Sequence, residues 1–281
     1  MRWDKGTLRV FTRHPSYNFV RNKIKTGKKY IVARFGSLSN IGNPDYEINS
    51  IQSIENCMNK LTMKRLFWEN GVSSPSYITV DDKNALTLYK RGSNEPIIYK
   101  NYNDFLESSG ISFPLLAKKT YRSRGQGMII ITSAASFNNF MQEYIINNKK
   151  NINNPYYFEV YKNYTREYRI HVSELGGYFY TCRKVLKNDT PQEKRYFRNS
   201  KNCAWLLEEN PSFNKPKTWE QIIEECQKAR KALGLSITGI DLKVSKDGRF
   251  VILEANSACS LDGEVVSRKY EAELTNIVNK I

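Results

Sequence analysis

The sequence predicts an α+β protein with antiparallel sheets. Three observations point there. Short runs rich in β-branched and aromatic residues recur along the chain, several of them joined by glycine turns. Stretches with apolar residues at helical spacing interrupt these runs. The 281 residues are 40% hydrophobic and 26% charged, which is enough to bury a core and unlike a disordered chain.

In chain order, YIVARFG at 30–36 reads as a strand entering a turn at Gly36-Ser37. From Asn49 to Asn70, Ile51, Ile54, Met58, Leu61, Leu66 and Phe67 recur at roughly helical spacing, and Gly71 stops the helix. ALTLYK and PIIYK, either side of Arg91-Gly92-Ser93-Asn94, form a hairpin. FPLLAKK at 113–119 is a strand, followed by a glycine turn, the strand MIIIT at 128–132 and a helix near 136–146. YYFEVY at 156–161, YRIHVSE at 168–174 and YFYTCRKV at 178–185 are strands, the last two joined through Gly176-Gly177. TWEQIIEECQKARKALG is an amphipathic helix ended by Gly234. Strand GIDLKV, turn Lys246-Asp247-Gly248, strand FVILEAN and a helix close the chain.

Composition excludes several classes. No apolar run approaches the roughly 20 residues that span a bilayer. MRWDKGTLRVF carries no apolar signal-peptide core. Five scattered cysteines without a C-x-x-C pair suit reduced thiols in the cytoplasm. Two histidines, His14 and His171, are too few for a histidine-based zinc site. The net charge of +16 is uneven: residues 1–40 hold ten Lys or Arg against Asp4 alone, and a second basic stretch runs from Arg183 to Lys201. Either these attract a polyanion, such as an acidic peptide or protein tail or a nucleic acid, or they express solubility and codon bias.

The densest chemical signal is GIDLKVSKDGRFVILEAN. Glu254 and Asn256, two apart on a strand, project to the same face. A hairpin through Asp247-Gly248 brings Asp241 beside them. Two carboxylates and an amide oxygen are hard donors that suit Mg²⁺ carrying nucleotide phosphates. This hairpin resembles the metal-binding hairpin of the ATP-grasp superfamily, which includes D-alanine–D-alanine ligase and the ribosomal-protein glutamate ligases. NKLTMKRLFWENGVSSP is similar to the family's helix opening with an ATP-contacting lysine, which makes Lys60 that lysine. FPLLAKKTYRSRGQGM resembles a strand ending in a second phosphate-contacting lysine, Lys118, before a loop carrying Gly125 and Gly127. YYFEVYKNYTREYRIHV resembles the interlobe segment. By that likeness the backbone from Glu159 to Tyr161 meets the adenine, Glu167 holds the ribose, and Arg169 faces the phosphates or substrate. Arg183 matches an arginine directed at the transferred phosphoryl group.

The resemblance covers roughly residues 50–262. It implies an ATP-grasp fold of two α/β lobes clamping ATP: a short basic N-terminal subdomain over 1–50, an N-lobe with a lid over 51–157, and a C-lobe with the metal site over 158–281. It also implies ATP with one or two Mg²⁺ ions (Mn²⁺ as a substitute), and a carboxylate–amine ligase working through an acyl phosphate. The same fold suits a phosphotransferase, or a degenerate polyanion-binding module. Two departures stand out. The family's Pro-Gly turn after the metal-binding asparagine is replaced by Asn256-Ser257-Ala258-Cys259, and only about fifty residues precede the lysine helix. His171 and Cys259 read as structural rather than catalytic.

Overall fold

The computed structural model describes residues 6–20, 23–40, 42–121, 127–146, 155–192, 195, 198, 202–208, 213–261 and 263–281. Strands β1 (Arg9–Thr12), β2 (Ile31–Phe35) and β3 (Tyr46–Ile48) form a small sheet in that order. It is parallel, whereas the two large sheets are antiparallel as expected. The stretch between β1 and β2, which includes the 3₁₀ turn Pro15–Val20, is long enough for a crossover.

The helix expected over 49–70 is two helices, α1 (Ile51–Met58) and α2 (Lys60–Glu69). Asn59 breaks it: its backbone is extended, and its side chain caps α2 by accepting from the N–H groups of Leu61 and Thr62. The break sets Lys60 in the first turn of α2, where its own N–H donates to the Thr120 carbonyl at 3.2 Å.

Strands β4 (Tyr77–Val80), β5 (Leu86–Tyr89), β6 (Ile97–Tyr99), β7 (Leu115–Lys119), β8 (Ile129–Ile131) and β9 (Tyr156–Val160) make a six-stranded sheet ordered β6-β5-β4-β9-β7-β8. Helices α3 (Tyr102–Ser108) and α4 (Ala134–Phe140) cover one face through a core of Phe105, Phe137, Phe140, Phe158 and their neighbours. Alternation sends Lys118, Tyr157 and Glu159 to the other face.

The second large sheet is ordered β12-β11-β10-β13-β14, from β10 (Arg166–Ser173), β11 (Tyr180–Leu186), β12 (Cys203–Leu207), β13 (Ile237–Val244) and β14 (Phe250–Asn256). Helix α5 (Trp219–Leu233) ends at Gly234 with φ 71°, a left-handed cap that glycine adopts without strain. Together with α1 and α2 it packs under the face bearing Tyr168, Ile170, Ile240, Leu242 and Ile252. Helices α1 and α2, assigned by sequence to the first lobe, therefore share a core with the second, while β9 carries the first lobe's sheet to Val160. The N-terminal sheet likewise shares one core with β11 and the last helix α6 (Glu264–Lys280), through Tyr17, Phe35, Tyr180, Tyr270 and Leu274. Among the described residues, no helix is long and apolar enough to cross a membrane. All five cysteines are buried and none forms a disulfide.

Candidate active site

The β13–β14 hairpin pairs Asp241 directly with Glu254, and Gly239 with Asn256. Direct antiparallel partners share a face, so the three oxygen-bearing side chains stand together, with Asn256 Nδ2 3.4 Å from Asp241 Oδ2. On the other side of β13, Asp241 pairs with Arg169 of β10. Arg169 Nε donates to Oδ1 at 2.5 Å and Nη2 to Oδ2 at 2.7 Å, a two-point grip on a carboxylate that is 4% exposed. Burial pushes the Asp241 carboxyl up, and Arg169 offsets that only in part.

Lys60 reaches Glu254 Oε2 at 2.6 Å from the start of α2. Burial acts to raise the Glu254 carboxyl, but Lys60, with Lys118 and Arg169 farther off, outweighs it and holds the group well below the usual carboxylate range. From the six-stranded sheet, Lys118 Nζ lies 2.6 Å from Glu159 Oε2. Lys64, one turn after Lys60, lies 3.0 Å from Glu159 Oε1 and donates to the Leu253 carbonyl at 2.8 Å. Two carboxylates plus an amide oxygen on one face, ringed by lysine and arginine, form a donor set suited to Mg²⁺ that completes its shell with phosphate and water. Among the described residues, no group of three or more His, Cys, Asp or Glu is placed to hold a metal ion.

No protein-family model and no curated protein matches the sequence. Solved structures match it by shape. Carboxyaminoimidazole ribonucleotide synthase from Aspergillus clavatus, complexed with ATP, aligns at TM-score 0.58 and 12% identity over 90% of this chain and 61% of that one. D-alanine–D-alanine ligase from Bacillus anthracis aligns at TM-score 0.54 and 16% identity over 84% and 70% of the two chains. The ATP-grasp ligase PsnB, complexed with a minimal precursor, aligns at TM-score 0.52 and 15% identity over 84% and 64%. This is an ATP-grasp fold. The chain spans less than two thirds of the length of the synthase, 61%.

Within the ATP-grasp frame, the expected residues separate into those brought together and those not. Asp241, Glu254, Asn256, Lys60 and Arg169 are joined by direct contacts, and Lys118 is tied to them through Glu159 and Lys64. Glu167 is on the same sheet face, 4% exposed, with Lys184 at 3.0 Å and Arg198 at 3.7 Å. The N–H groups of Val160 and Tyr161 donate to the Ser76 and Pro114 carbonyls, so those donors already serve the sheet. Gly127 has φ 69°, a conformation open to glycine, whereas Gly125 lies outside the described residues.

Arg183 is the correction. The register pairs Arg169 with Cys182, which turns Arg183 to the opposite face beside Tyr168, where it pairs with Glu208 at 2.8 Å. Lys184 takes the cleft side, its Nζ 5.3 Å from the Trp205 ring centre, and the Arg169 guanidinium stands 4.6 Å from the same ring. Lys64, Lys184, Trp205 and Lys243 stand beside these groups, and sequence reasoning missed them. Burial pushes the Lys243 amine down to about 8. Arg183→Met is expected to leave nucleotide affinity within about twofold and stability within roughly 1 kcal/mol, since its ion pair is partly exposed and screened by solvent. Calorimetric titration with Mg²⁺ and a non-hydrolysable ATP analogue checks this.

His171 is buried and shares a 2.6 Å hydrogen bond with the Tyr270 hydroxyl. Burial, aided by Arg169, holds its imidazole well below the ordinary value and therefore neutral. Cys259 is 2% exposed and its thiol is pushed up to about 12 by burial, far from a thiolate nucleophile. Its Sγ occupies the space a Cβ on Gly239 would need, 2.4 Å away. In place of a Pro-Gly turn, Ala258 packs its small side chain against the N-terminal core, where a Cβ on Gly36 would come within 3.1 Å of Ala258 Cβ.

Proposed function

We propose that the protein is an ATP- and Mg²⁺-dependent carboxylate–amine ligase acting through an acyl phosphate. The observation that carries this reading is the convergence of Lys60 and Arg169 on the Glu254–Asp241 pair, with Lys118 tied to them through Glu159 and Lys64. Phosphoryl transfer asks a protein for in-line positioning and charge neutralisation rather than a covalent group, which suits a cleft of lysines and arginines with a neutral, buried histidine. A substrate carboxylate oxygen attacks the γ-phosphorus and ADP leaves. An amine then attacks the acyl carbon, and inorganic phosphate leaves with the C–O bond electrons and takes up the proton the amine loses. When bound, Mg²⁺ neutralises charge on the phosphates and orients them. A module that only binds polyanions has no need of the oxygen donors, so their presence beside the lysines favours catalysis.

ADP release measured across amino acids and acidic peptides, with mass analysis of the product, tests the reaction. An amide product supports the ligase; a stable phosphorylated product identifies a phosphotransferase instead. A smaller test precedes it. Mg²⁺ with ATP at about 100 times its dissociation constant should stabilise the fold by about 2.7 kcal/mol. Absence of any thermal shift removes ATP as the co-substrate.

The second substrate is read from the surface as an acidic peptide or protein. Of the N-terminal cations, Arg34 is fully buried and pairs with Glu47 at 2.7 Å, so it plays no part. Arg13, Lys23, Lys25, Lys28 and Lys29 are exposed. Neutralising Arg9, Arg13 and Lys23 together should raise the acceptor KM, most at low salt, and leave ATP affinity nearly unchanged. Normal acceptor kinetics at both low and high salt would indicate a small co-substrate.

A further inference from the structure

Lys64 is a buried cation outside the metal and phosphate set, and from α2 it reaches both large sheets, at β9 and at β14. It belongs to α2, four residues after Lys60. It is 1% exposed, and its Nζ bridges Glu159 Oε1 at 3.0 Å and the Leu253 carbonyl at 2.8 Å. Glu159 in turn holds Lys118 at 2.6 Å, with the Tyr157 hydroxyl donating to it at 3.2 Å. Leu253 is the residue inserted at the β14 bulge: Asp241 pairs with Glu254, but Leu242 pairs with Ile252. The bulge turns Ile252 into the core and leaves the Leu253 carbonyl, one residue before Glu254, on the outer edge of β14 facing α2.

The neighbouring edge groups are also covered from the two helices. The Ala255 N–H meets Met63 Sδ at 3.3 Å, and the Cys57 thiol donates to the Ala255 carbonyl at 3.2 Å. Among these contacts only Lys64 reaches the other sheet as well. One ammonium thus fixes α2, β9 and β14 relative to each other, and with them Lys60, Lys118 and Glu254. A purely structural apolar residue would fill the space more cheaply, because a buried lysine carries a desolvation cost that only well-placed partners offset.

Resting on the nucleotide-and-metal reading above, we propose that Lys64 is a positioning residue that couples the phosphate-binding lysines to the Glu254 metal ligand. It contacts neither group's ligand. Its contribution appears as the degree to which nucleotide and metal strengthen each other's binding.

The test is Mn²⁺ affinity measured calorimetrically with and without a non-hydrolysable ATP analogue, in the full chain. Lys64→Met keeps length and removes charge and donors. It is expected to cut the nucleotide-dependent gain in Mn²⁺ affinity by about tenfold, the scale of a lost supporting contact at a metal site. Phe67→Leu, a core change in the same helix, lowers the melting temperature without touching the polar node and should leave the gain unchanged. If Lys64→Met keeps the full gain, or Phe67→Leu loses as much, the proposal is overturned. Should Lys64→Met fail to fold, Lys64→Arg retains charge but moves the donors, and is expected to lose about threefold. A folded Lys64→Arg with full coupling is then the overturning result. If the unaltered protein shows no gain with nucleotide, the nucleotide-and-metal reading fails and the proposal with it. A normal gain that survives Lys64→Met defeats the proposal alone.

Discussion

Replacing Glu159 with glutamine is expected to destabilise the protein by about 3–5 kcal/mol, the cost of stranding a buried charge. Glu159 is 1% exposed and holds two ammonium groups, Lys64 at 3.0 Å and Lys118 at 2.6 Å. Glutamine keeps one oxygen and loses the charge. Lys118 can turn toward solvent, since its side chain is 16% exposed, but Lys64 at 1% cannot. Burial acts to raise the Glu159 carboxyl, yet the two lysines overcome it and bring the value down from 4.5 to about 2. A carboxyl lowered on folding contributes stability that is complete above pH 4.5 and is lost as the pH falls through about 2. The shift corresponds to roughly 3 kcal/mol. Urea denaturation at pH 7 should therefore separate the two proteins widely, and the gap should close progressively as the pH falls from 4.5 toward 2. Equal midpoints at pH 7 would show that the lysine clamp adds nothing to stability.

What the sequence reveals of this site follows from how far each feature depends on distant chain. The Asp241, Glu254 and Asn256 set was legible because one hairpin carries it, and strand alternation around a Lys-Asp-Gly turn determines which residues share a face. Lys60 was legible as a helix opening, although the break at Asn59 depends on a side-chain cap that periodicity does not register. Arg183 was assigned by resemblance, which does not determine its face; that is set by the register of β10 with β11, where a one-residue change flips a strand. Lys64 drew no notice in the sequence. Its burial comes from Glu159 and Leu253, 95 and 189 residues along the chain, and no local pattern announces that. Strand β12 went unread because its middle residues Ala204, Trp205 and Leu206 are exposed at a sheet edge and show no alternation of apolar and polar positions. The short basic N-terminal segment shares a core with α6 through Leu8, Val10, Tyr17 and Phe35, a long-range packing that charge does not register.

Glu254→Gln is expected to reduce ATP turnover by roughly 10²–10³-fold while leaving the fold intact. The glutamine is nearly the same shape, and the site is open enough to accept it, with the Glu254 side chain 32% exposed. Losing the Lys60 pair at such a position costs little stability, about 1 kcal/mol or less after screening by solvent. Chemistry responds differently, because the carboxylate has two tasks. It supplies a negative donor beside Asp241 and Asn256, and it holds the Lys60 ammonium 2.6 Å away in the cleft. Glutamine fails at the first and weakens the second. Combining Glu254→Gln with Lys60→Met should then cost less than the product of the two separate losses, since each change already disturbs the other's partner. ADP release, Mn²⁺ binding and circular dichroism on the same preparations distinguish the outcomes. Unchanged turnover in a folded Glu254→Gln protein would remove the hairpin from the metal site. Equal loss of turnover and of melting temperature would mark Glu254 as a structural residue. Loss of turnover and of Mn²⁺ affinity with an unchanged melting curve is the result that the pairing of Glu254 with Asp241 on one sheet face leads us to expect.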